Sequence, residues 1–330
     1  MKETLLSLEH LSIDYKVKGG YLSAVNDVNM DIREGEIFAV VGESGCGKST
    51  VAHSIMRLLS GGNAKISGSI RFGGRELTAC PEKEMEAIRG REIGMIFQNP
   101  LDSLNPVYTV GAQVSEAIML DRVEKQEAMK RAIRLFQDVK MPDAEERAAS
   151  FPHELSGGMR QRVMIAMMLS RDPRLLIADE PTTALDVTIE AQILEIIKEL
   201  KETHNTAILL ITHNFGLVAE AADKIAVMYA GEVVESGDVF EIFEAPMHPY
   251  TRLLMQALPR STKREGRLQT IDGSVPRILD KKPGCRFANR CPCAEERCRN
   301  ETPEETAVSE THRCRCFLVP PGQPSGRKGT

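Results

Sequence analysis

The hydrophobic positions of the chain change their spacing several times, and each change predicts a different kind of element. Between residues 5 and 41, short runs alternate apolar and polar positions, which is typical of antiparallel strands. Two later runs, 174–179 and 206–212, are almost wholly apolar, as in a parallel sheet that is covered on both faces. An amphipathic segment near 188–203 lies between them. This order of strand, helix and strand predicts an α/β fold with a doubly wound core sheet.

The middle and the end of the chain depart from this pattern. Apolar side chains recur at helical spacing among many charges in two segments, 110 to about 139 and 157–169. This pattern predicts a helical insertion. Beyond residue 258 the chain becomes rich in Pro, Gly and charge, which indicates a connector. We therefore predict the following division: a core of 1–98 and 164–258 that includes an antiparallel β subdomain, a helical subdomain of 99–163, a small cysteine-rich extension of 259–319, and a disordered tail of 320–330.

Composition narrows the classes of function. The chain has 330 residues, 42% of them hydrophobic, so it can bury a sizeable core. A formal net charge of −5 does not indicate a nucleic-acid partner. No window approaches 18 consecutive apolar residues, and the first residues lack the apolar core of a signal peptide. These features predict a cytosolic protein.

The strongest chemical signal is a glycine-rich loop between an apolar run, 37–41, and a predicted helix, 51–59. Its glycines let backbone N–H groups turn toward phosphates, and the helix adds the positive end of its dipole. We expect Lys48 to reach the β- and γ-phosphates and Ser49 to hold Mg²⁺. The alternative is a glycine-rich turn that caps an ordinary helix. The motif consists of Gly42, Glu43, Ser44, Gly45, Cys46, Gly47, Lys48, Ser49 and Thr50.

Two further motifs suit the same chemistry. Asp179 and Glu180 follow an apolar strand, so Asp179 can hold Mg²⁺ and Glu180 can polarise the water that attacks the γ-phosphate. A solvated acidic turn before Pro181 is the alternative. Ser156, at the start of a predicted helix, precedes Gly157 and Gly158, which together form another anion-binding helix terminus. Taken alone, that pattern is equally typical of a simple helix cap.

In this order the motifs over about residues 5–250 resemble the ATP-binding cassette (ABC) family of P-loop NTPases. The loop 42–50 is similar to its Walker A motif, Leu155 to Met159 to its signature, and 175–180 to its Walker B, although the common signature has Gln where this chain has Met159. The resemblance implies catalytic roles for Lys48, Glu180 and His213, and Mg²⁺ contacts from Ser49, Gln98 and Asp179. It also implies nucleotide contacts outside the P-loop from Tyr15, Gln98, Ser156, Gly157, Gly158 and Asp186.

The family resemblance also implies a partner. In this family two cassettes pair head to tail, so that each ATP lies between the Walker A motif of one subunit and the signature of the other. A monomer is therefore expected to bind ATP but to hydrolyse it poorly. The second subunit is either another copy of this chain or a related ATPase.

The residues 99–106, 248–251 and 284–316 extend the resemblance to the ATPase subunits of bacterial di- and oligopeptide importers. It implies separate transmembrane permease subunits, an extracytoplasmic peptide-binding protein, no nucleic-acid partner, and a peripheral position at the cytoplasmic face of the membrane. One alternative is the ATPase of a nickel or other small-solute importer. A second is a soluble cassette protein that acts on ribosomes or DNA, against which stand the single P-loop and the lack of an extended heptad run.

The C-terminal cysteines suggest a further site. Six of the eight cysteines lie between Cys285 and Cys316, and a reducing cytosol argues against disulfides. The resemblance to the peptide importers implies a [4Fe–4S] cluster on four of them, with Cys293 and Cys314 as extra candidates. Zinc, or reduced cysteines without a metal, are the alternatives. The cluster ligands that this resemblance implies are Cys285, Cys291, Cys298 and Cys316.

Overall fold

A computed structural model describes residues 3–59, 62–98, 104–182, 187–257, 271–279 and 281–320. As far as they are described, the residues form two compact units. The first contains Arg33–Ile37 and Cys80–Ile211, and the second contains Thr4–Ile32, Phe38–Ala79 and Thr212–Thr330. Residues 258–270, where a connector is predicted, lie outside the described residues. So do residues 321–330 of the predicted tail, 320–330.

The described strands are β1 (Thr4–Val17), β2 (Gly20–Arg33), β3 (Ile37–Val41), β4 (Ala64–Phe72), β5 (Arg75–Glu76), β6 (Ile93–Ile96), β7 (Leu175–Asp179), β8 (Ala207–Thr212), β9 (Lys224–Tyr229), β10 (Glu232–Asp238), β11 (Thr306–Ala307) and β12 (Arg313–Cys314). The described helices are α1 (Lys48–Ile55), α2 (Glu82–Ile88), α3 (Val110–Met119), α4 (Lys125–Asp138), α5 (Ala144–Ala148), α6 (Gly157–Leu169), α7 (Val187–His204), α8 (Phe215–Ala221), α9 (Val239–Glu244), α10 (Pro249–Gln256) and α11 (Glu296–Asn300).

In the first unit, β7 pairs in parallel with both β6 and β8. All residues of these three strands are buried, which explains why their sequences are apolar throughout rather than alternating. Helix α7 connects β7 to β8, close to the limits predicted from the sequence. The predicted strand, helix and parallel strand are thus confirmed.

The helical part of the first unit is packed around α4 and α6. Helix α4 buries Ala128, Ala132 and Phe136, which recur every four residues and so lie on one face. The guanidinium of Arg162, on α6, is buried and donates hydrogen bonds to the carbonyl oxygens of Val139 and Lys140. It therefore satisfies carbonyl groups that the end of α4 leaves without helical partners. The region 110–139, predicted as a helical segment, consists of two helices, α3 and α4.

The second unit contains a four-stranded sheet in the order β2-β1-β4-β5, with β1 antiparallel to β4. The register between β1 and β4 shifts between Glu9 and Ser12, and the buried positions of β1 after the shift are Leu11 and Ile13. At this shift a Cβ on Gly68 would lie 2.4 Å from the carbonyl oxygen of His10. The close approach requires glycine at position 68.

The same unit contains a second group of strands, β3-β9-β10-β12-β11. Strand β3 is parallel to β9, whereas the other neighbours are antiparallel. Strand β12 comes from the C-terminal region and places Cys314 opposite Glu235 of β10. The C-terminal region is therefore built into the sheet of this unit.

Helix α1 begins at Lys48, earlier than the sequence pattern predicts, and ends at Ile55. Lys48, Ser49 and Thr50 consequently lie in its first turn, where backbone N–H groups have no helical acceptors. Among the helices of the described ranges, none has the length and apolar character needed to cross a membrane.

Candidate functional site

The glycine-rich loop joins β3 to α1 in the second unit, and its path depends on two glycines. Gly42 has a φ of 156°, and a Cβ there would lie 2.2 Å from the carbonyl oxygen of Met228. Gly47 has a φ of 108°, and a Cβ there would lie 2.5 Å from the carbonyl oxygen of Ala24. Any larger residue would displace the backbone, so the sequence pattern and the observed path agree.

Lys48 lies against the loop that it follows. Its side chain is only 4% exposed, and Nζ donates hydrogen bonds to the carbonyl oxygens of Gly42 at 2.8 Å and Glu43 at 3.1 Å. Ser44 and Gly45 form the exposed part of the loop. Cys46 is buried, and burial raises the pKa of its thiol, so it packs as a neutral side chain. The loop thus presents a cation and backbone amides together, an arrangement that suits phosphate groups.

Tyr15, the predicted adenine contact, lies on β1 opposite Ala64 of β4. Burial raises the pKa of its hydroxyl, which makes a side-chain hydrogen bond with Thr50 of α1. Tyr21, the tyrosine of the neighbouring strand β2, is 49% exposed. The structure therefore joins Tyr15, but not Tyr21, to the helix that follows the glycine-rich loop.

In the first unit, Asp179 is the last residue of β7 and is 2% exposed. The backbone N–H of Glu180 donates to the carbonyl oxygen of Ile211 at 2.9 Å, and its φ is +47°, which is rare for a residue other than glycine. The Nε2 of Gln98 donates to the Oε2 of Glu180 at 2.8 Å. Two predicted site residues that are 82 positions apart in sequence are thus in direct contact.

Ser156 is the N-cap of α6, and its Oγ accepts a hydrogen bond from the backbone N–H of Met159 at 3.3 Å. Gly158 is buried, and a Cβ there would lie 2.8 Å from Cγ2 of Ile189. A cavity of about 510 Å³ adjoins this helix terminus. Its lining residues are Lys140, Pro142, Ser156, Gly158, Met159, Arg162, Ile189, Gln192 and Glu195.

Of the predicted residues that remain, the structure describes His213 but not Asp186. His213 is exposed and follows β8, next to Asn214, which caps α8 with its side-chain oxygen. Asp186 lies outside the described residues, as do the residues 99–103 that follow Gln98. The structure therefore gives no contact for Asp186.

The C-terminal cysteines do not form the predicted metal site. Within the described ranges, which include all six of these cysteines, no group of three or more His, Cys, Asp or Glu side chains is arranged to hold a metal ion. The prediction of an iron–sulfur, [4Fe–4S] or other metal-binding site on these cysteines is therefore wrong, and the zinc alternative fails on the same finding. The four predicted ligands were Cys285, Cys291, Cys298 and Cys316.

Burial and space give the physical reason. The cavity between these cysteines has a volume of only about 10 Å³ and is shared with Phe287 and Phe317. Burial raises the pKa of the Cys285 thiol to about 11 and also raises the pKa values of Cys291 and Cys316. In these surroundings the thiols are neutral. The cysteines here belong to the packing of the C-terminal region.

Sequence reasoning missed a set of residues that contact the glycine-rich loop. Arg290 forms an ion pair with Glu43, with Nη1 and Oε2 2.7 Å apart, and the hydroxyl of Tyr250 accepts from the N–H of Glu43 at 3.0 Å. The arginine lies 247 positions from the glutamate in the sequence. Its local sequence shows only that it directly precedes Cys291.

Comparisons with known proteins support the cassette interpretation. Residues 25–183 match the family model described as ABC transporter, and residues 234–298 match the model described as oligopeptide/dipeptide transporter, C-terminal region. The dipeptide transport ATP-binding protein DppD of Bacillus subtilis is 46% identical over 318 residues, which cover 96% of this chain and 95% of that protein. The oligopeptide transport ATP-binding protein OppD of Salmonella typhimurium is 47% identical over 314 residues, covering 95% and 93%.

Solved structures agree on the fold. The ATP-binding cassette MJ0796, described as dimeric in a post-hydrolysis state bound to ADP and Pi, matches with a TM-score of 0.64 and 27% identity over 71% of this chain and 98% of that chain. CbiO1 of Clostridium perfringens, part of the ABC transporter complex cbiONQ, matches with a TM-score of 0.63 and 28% identity, covering 74% and 92%. The predicted cassette fold is confirmed. Because relatives this similar match nearly its whole length, the chain belongs to the ABC transporter ATPases, in the group of oligopeptide/dipeptide transporter ATP-binding proteins.

Proposed function

We propose that this chain is the ATP-hydrolysing subunit that drives the import of dipeptides or oligopeptides through separate transmembrane permease subunits. The observation that carries the proposal is the match of residues 234–298 to the C-terminal region of oligopeptide/dipeptide transporters, together with relatives named for dipeptide and oligopeptide transport. An extracytoplasmic peptide-binding protein would deliver the substrate to the permease. The chain itself would be peripheral, at the cytoplasmic face of the membrane.

For the nucleotide site, we assign the triphosphate to the loop Gly42–Thr50 and the adenine to Tyr15. The backbone path through Gly42 and Gly47 and the nearby amine of Lys48 support the first assignment. The hydrogen bond between Tyr15 and Thr50 supports the second, because it ties the aromatic ring to α1. A flat ring is a suitable stacking surface for a base.

The donor set fits Mg²⁺. A hydroxyl oxygen from Ser49, a carboxylate from Asp179 and an amide oxygen from Gln98 are the hard oxygen ligands that this ion prefers, and it usually takes only one or two protein carboxylates. Asp179 is 2% exposed, so its charge is little screened by water. The ion would supply positive charge against the β- and γ-phosphates. Ser49, Gln98 and Asp179 would hold it.

For the chemical step, we assign Glu180 as the residue that polarises the attacking water. The contact from Nε2 of Gln98 orients the carboxylate of Glu180 through a neutral donor. We assign His213 as a second polar group near the γ-phosphate and Lys48 as the cation that stabilises the charge on it. A neutral amide orients the base without neutralising it.

Hydrolysis in this proposal takes place in a head-to-tail dimer. Ser156, Gly157 and Gly158 of one subunit would complete the ATP site of the other, with Asp186 at the same interface. The N-terminus of α6, capped by Ser156, is suited to an anion, and both MJ0796 structures in the comparisons are described as dimeric. The second subunit is either another copy or a homologous ATPase.

The division into core, helical and C-terminal regions predicted from the sequence stays a proposal. We also propose that the helical region, 99–163, contacts the permease. Exposed apolar side chains support this contact, because Val107 is 70% exposed and Tyr108 is 56% exposed just before α3. Phe97, beside Gln98, is 38% exposed.

The test uses the chain co-expressed with the permease subunits encoded beside it. We expect the wild type to sediment with membranes, and Tyr108→Glu to weaken this association at unchanged expression. Phe240→Glu is the matched control, since Phe240 is 72% exposed on α9. A wild-type chain that never sediments with membranes would refute the proposal and would favour a soluble role.

A further inference from the structure

The C-terminal region contacts the glycine-rich loop directly through Arg290. Arg290 is 8% exposed in its side chain and binds the carboxylate of Glu43 with both terminal nitrogens, Nη1 to Oε2 at 2.7 Å and Nη2 to Oε1 at 2.9 Å. Such paired contacts fix the orientation of both planar groups. The hydrogen bonds that Arg290 donates to the Glu43 carboxylate raise the pKa of the arginine, so it is charged throughout the physiological range.

The guanidinium of Arg290 is also held from the other side. Its Nε donates to the carbonyl oxygen of Asp272 at 2.8 Å, and Nη2 donates to those of Ile271 at 3.2 Å and Gly273 at 3.3 Å. Three backbone carbonyl oxygens thus accept hydrogen bonds from the same guanidinium that binds Glu43. An anchored side chain loses less conformational entropy when it binds than a free one.

Glu43 connects this anchor to the phosphate-binding groups. Its backbone N–H donates to the hydroxyl of Tyr250 at 3.0 Å, and its carbonyl oxygen accepts from Nζ of Lys48 at 3.1 Å and from the N–H of Cys46 at 3.3 Å. The side chain, the N–H and the carbonyl of one residue are thus all engaged. A displacement of Glu43 would move the acceptor that positions the lysine amine.

A buried aromatic cluster supports the ion pair. Tyr229, Tyr250 and Phe287 are fully buried, and their ring centroids lie 4.8–5.2 Å apart. The guanidinium of Arg290 lies 5.7 Å from the centroid of the Tyr229 ring. Phe287 and Arg290 come from the same turn of the C-terminal region, so this region supplies both the packing and the charge.

A second arginine gives an independent connection. Arg286 forms a buried ion pair with Glu232 at 2.9 Å and donates to the carbonyl oxygen of Ala230. Gly231 lies between Ala230 and Glu232 in the sequence, and its N–H donates to the carbonyl oxygen of Cys46 at 2.7 Å. The C-terminal region therefore braces the loop at Glu43 and again at Cys46.

We propose that Arg290 is a positioning residue for ATP: through Glu43 it holds the start of the glycine-rich loop, so that affinity for the triphosphate depends on the folded C-terminal region. The inference rests on the proposed role of Lys48 and its loop in binding ATP. It assigns to the region 281–320 a role in nucleotide binding within the same chain.

The test measures ATP affinity of the full chain by equilibrium titration with a fluorescent ATP analogue. For Arg290→Gln we expect about tenfold weaker binding, which corresponds to about 1.4 kcal/mol. The KM for ATP should rise by a similar factor, while kcat at saturating ATP changes less than about twofold, because lost positioning is restored by bound nucleotide. Arg290→Lys should recover part of the affinity, since it keeps the charge but not the two-pronged geometry.

Two controls separate positioning from general stability. Arg313→Gln removes an exposed arginine of the same region, 3.4 Å from Glu305, and should leave ATP affinity unchanged. Arg315→Gln removes an anchor to Asp27 of β2, 2.8 Å away, and should also leave affinity within about twofold of wild type. If Arg315→Gln and Arg290→Gln weaken ATP binding equally, the effect is one of stability and the proposal fails.

Glu43→Gln tests the pair from its other side, and it provides a variant if Arg290→Gln does not fold. The double variant should bind ATP no more weakly than the worse single variant, because the two changes remove one shared interaction. Additive losses would overturn the proposal. Lys48→Ala separates the two hypotheses: if it binds ATP normally, the proposed site is wrong, whereas weak binding by Lys48→Ala with normal binding by Arg290→Gln rejects only this inference.

Discussion

Gln98 Nε2 donates a hydrogen bond to Glu180 Oε2 across 2.8 Å. The contact follows from the sheet, because Ile96 of β6 lies opposite Ala178 of β7 in parallel register, and each site residue comes two positions later. Both therefore leave the same edge of the sheet. The proposed base thus has a fixed neutral donor that can orient it.

For Glu180→Gln, we expect ATP binding to be retained and turnover to fall by at least about 100-fold, because the amide cannot accept a proton from water. Slow hydrolysis should trap the closed dimer, which size-exclusion chromatography with ATP would detect. Glu202→Gln changes an exposed glutamate on α7 and serves as the control. Comparable turnover by Glu180→Gln and wild type would remove Glu180 from the catalytic assignment.

Gly42→Ala should abolish nucleotide binding, because its Cβ would lie 2.2 Å from the carbonyl oxygen of Met228 and the loop would have to move. Gly45→Ala is the matched control: it also has a positive φ, of 80°, but a Cβ there meets nothing within 4 Å. Isothermal titration with ATP should therefore show a much larger loss at position 42 than at position 45. Equal losses would mean that backbone conformation, rather than the close approach, sets the requirement.

Arg162→Met should destabilise the first unit, since the change leaves the buried carbonyl group of Val139 and the partly buried one of Lys140 without this donor. We expect a loss of about 2 kcal/mol in the free energy of unfolding and a fall in Tm of roughly 4–8 °C. Arg131→Met is the control, because that side chain is 53% exposed and should contribute little. The idea is contradicted if thermal unfolding of the two variants is the same.

The stability of the second unit should depend on pH through His248. Burial lowers the pKa of His248 to about 4, with a smaller opposing effect from Glu235 and a further lowering by Arg252. Its Nδ1 accepts the N–H of Tyr250 at the start of α10, which requires the neutral ring. Between the unfolded pKa near 6.5 and the folded value, the unfolded chain binds more protons, so stability falls as the pH falls through this window.

At the low-pH end of this window, His248 should have lowered the free energy of unfolding by on the order of 3 kcal/mol. His248→Asn keeps an acceptor for the helix cap but does not titrate, so its urea-unfolding stability should vary less between pH 6.5 and 4. His153→Asn, at an exposed position, should keep the wild-type pH dependence. A His248→Asn variant with the same pH dependence as the wild type would exclude His248 as its source.

Patterns within short stretches of sequence predicted much of the fold, because burial and backbone conformation restrict which residues such a stretch can contain. The apolar runs of β7 and β8 reflect burial on both faces, and the glycines of the loop reflect close backbone approaches at positions 42 and 47. The family resemblance implied roles in nucleotide hydrolysis for both Gln98 and Glu180, and their side chains form a hydrogen bond.

Long-range packing could not be predicted in this way. The pairing of Arg290 with Glu43 spans 247 positions and has no periodic or spacing signal. The cysteine prediction failed for a related reason: spacing along the chain gives neither the space between the thiols nor the burial that raises the pKa of Cys285 to about 11. Both results depend on the three-dimensional surroundings of each side chain.

The bond between Arg290 and Glu43 also has a consequence for how the protein is made. A ribosome that adds about 5–20 residues per second needs roughly 12–50 seconds to pass from the glutamate to the arginine. During that time the glycine-rich loop passes through and leaves the exit tunnel without its contact to Arg290. The nascent chain should therefore acquire full affinity for ATP only after Arg290 has been synthesised, which delays nucleotide binding relative to the synthesis of the loop itself.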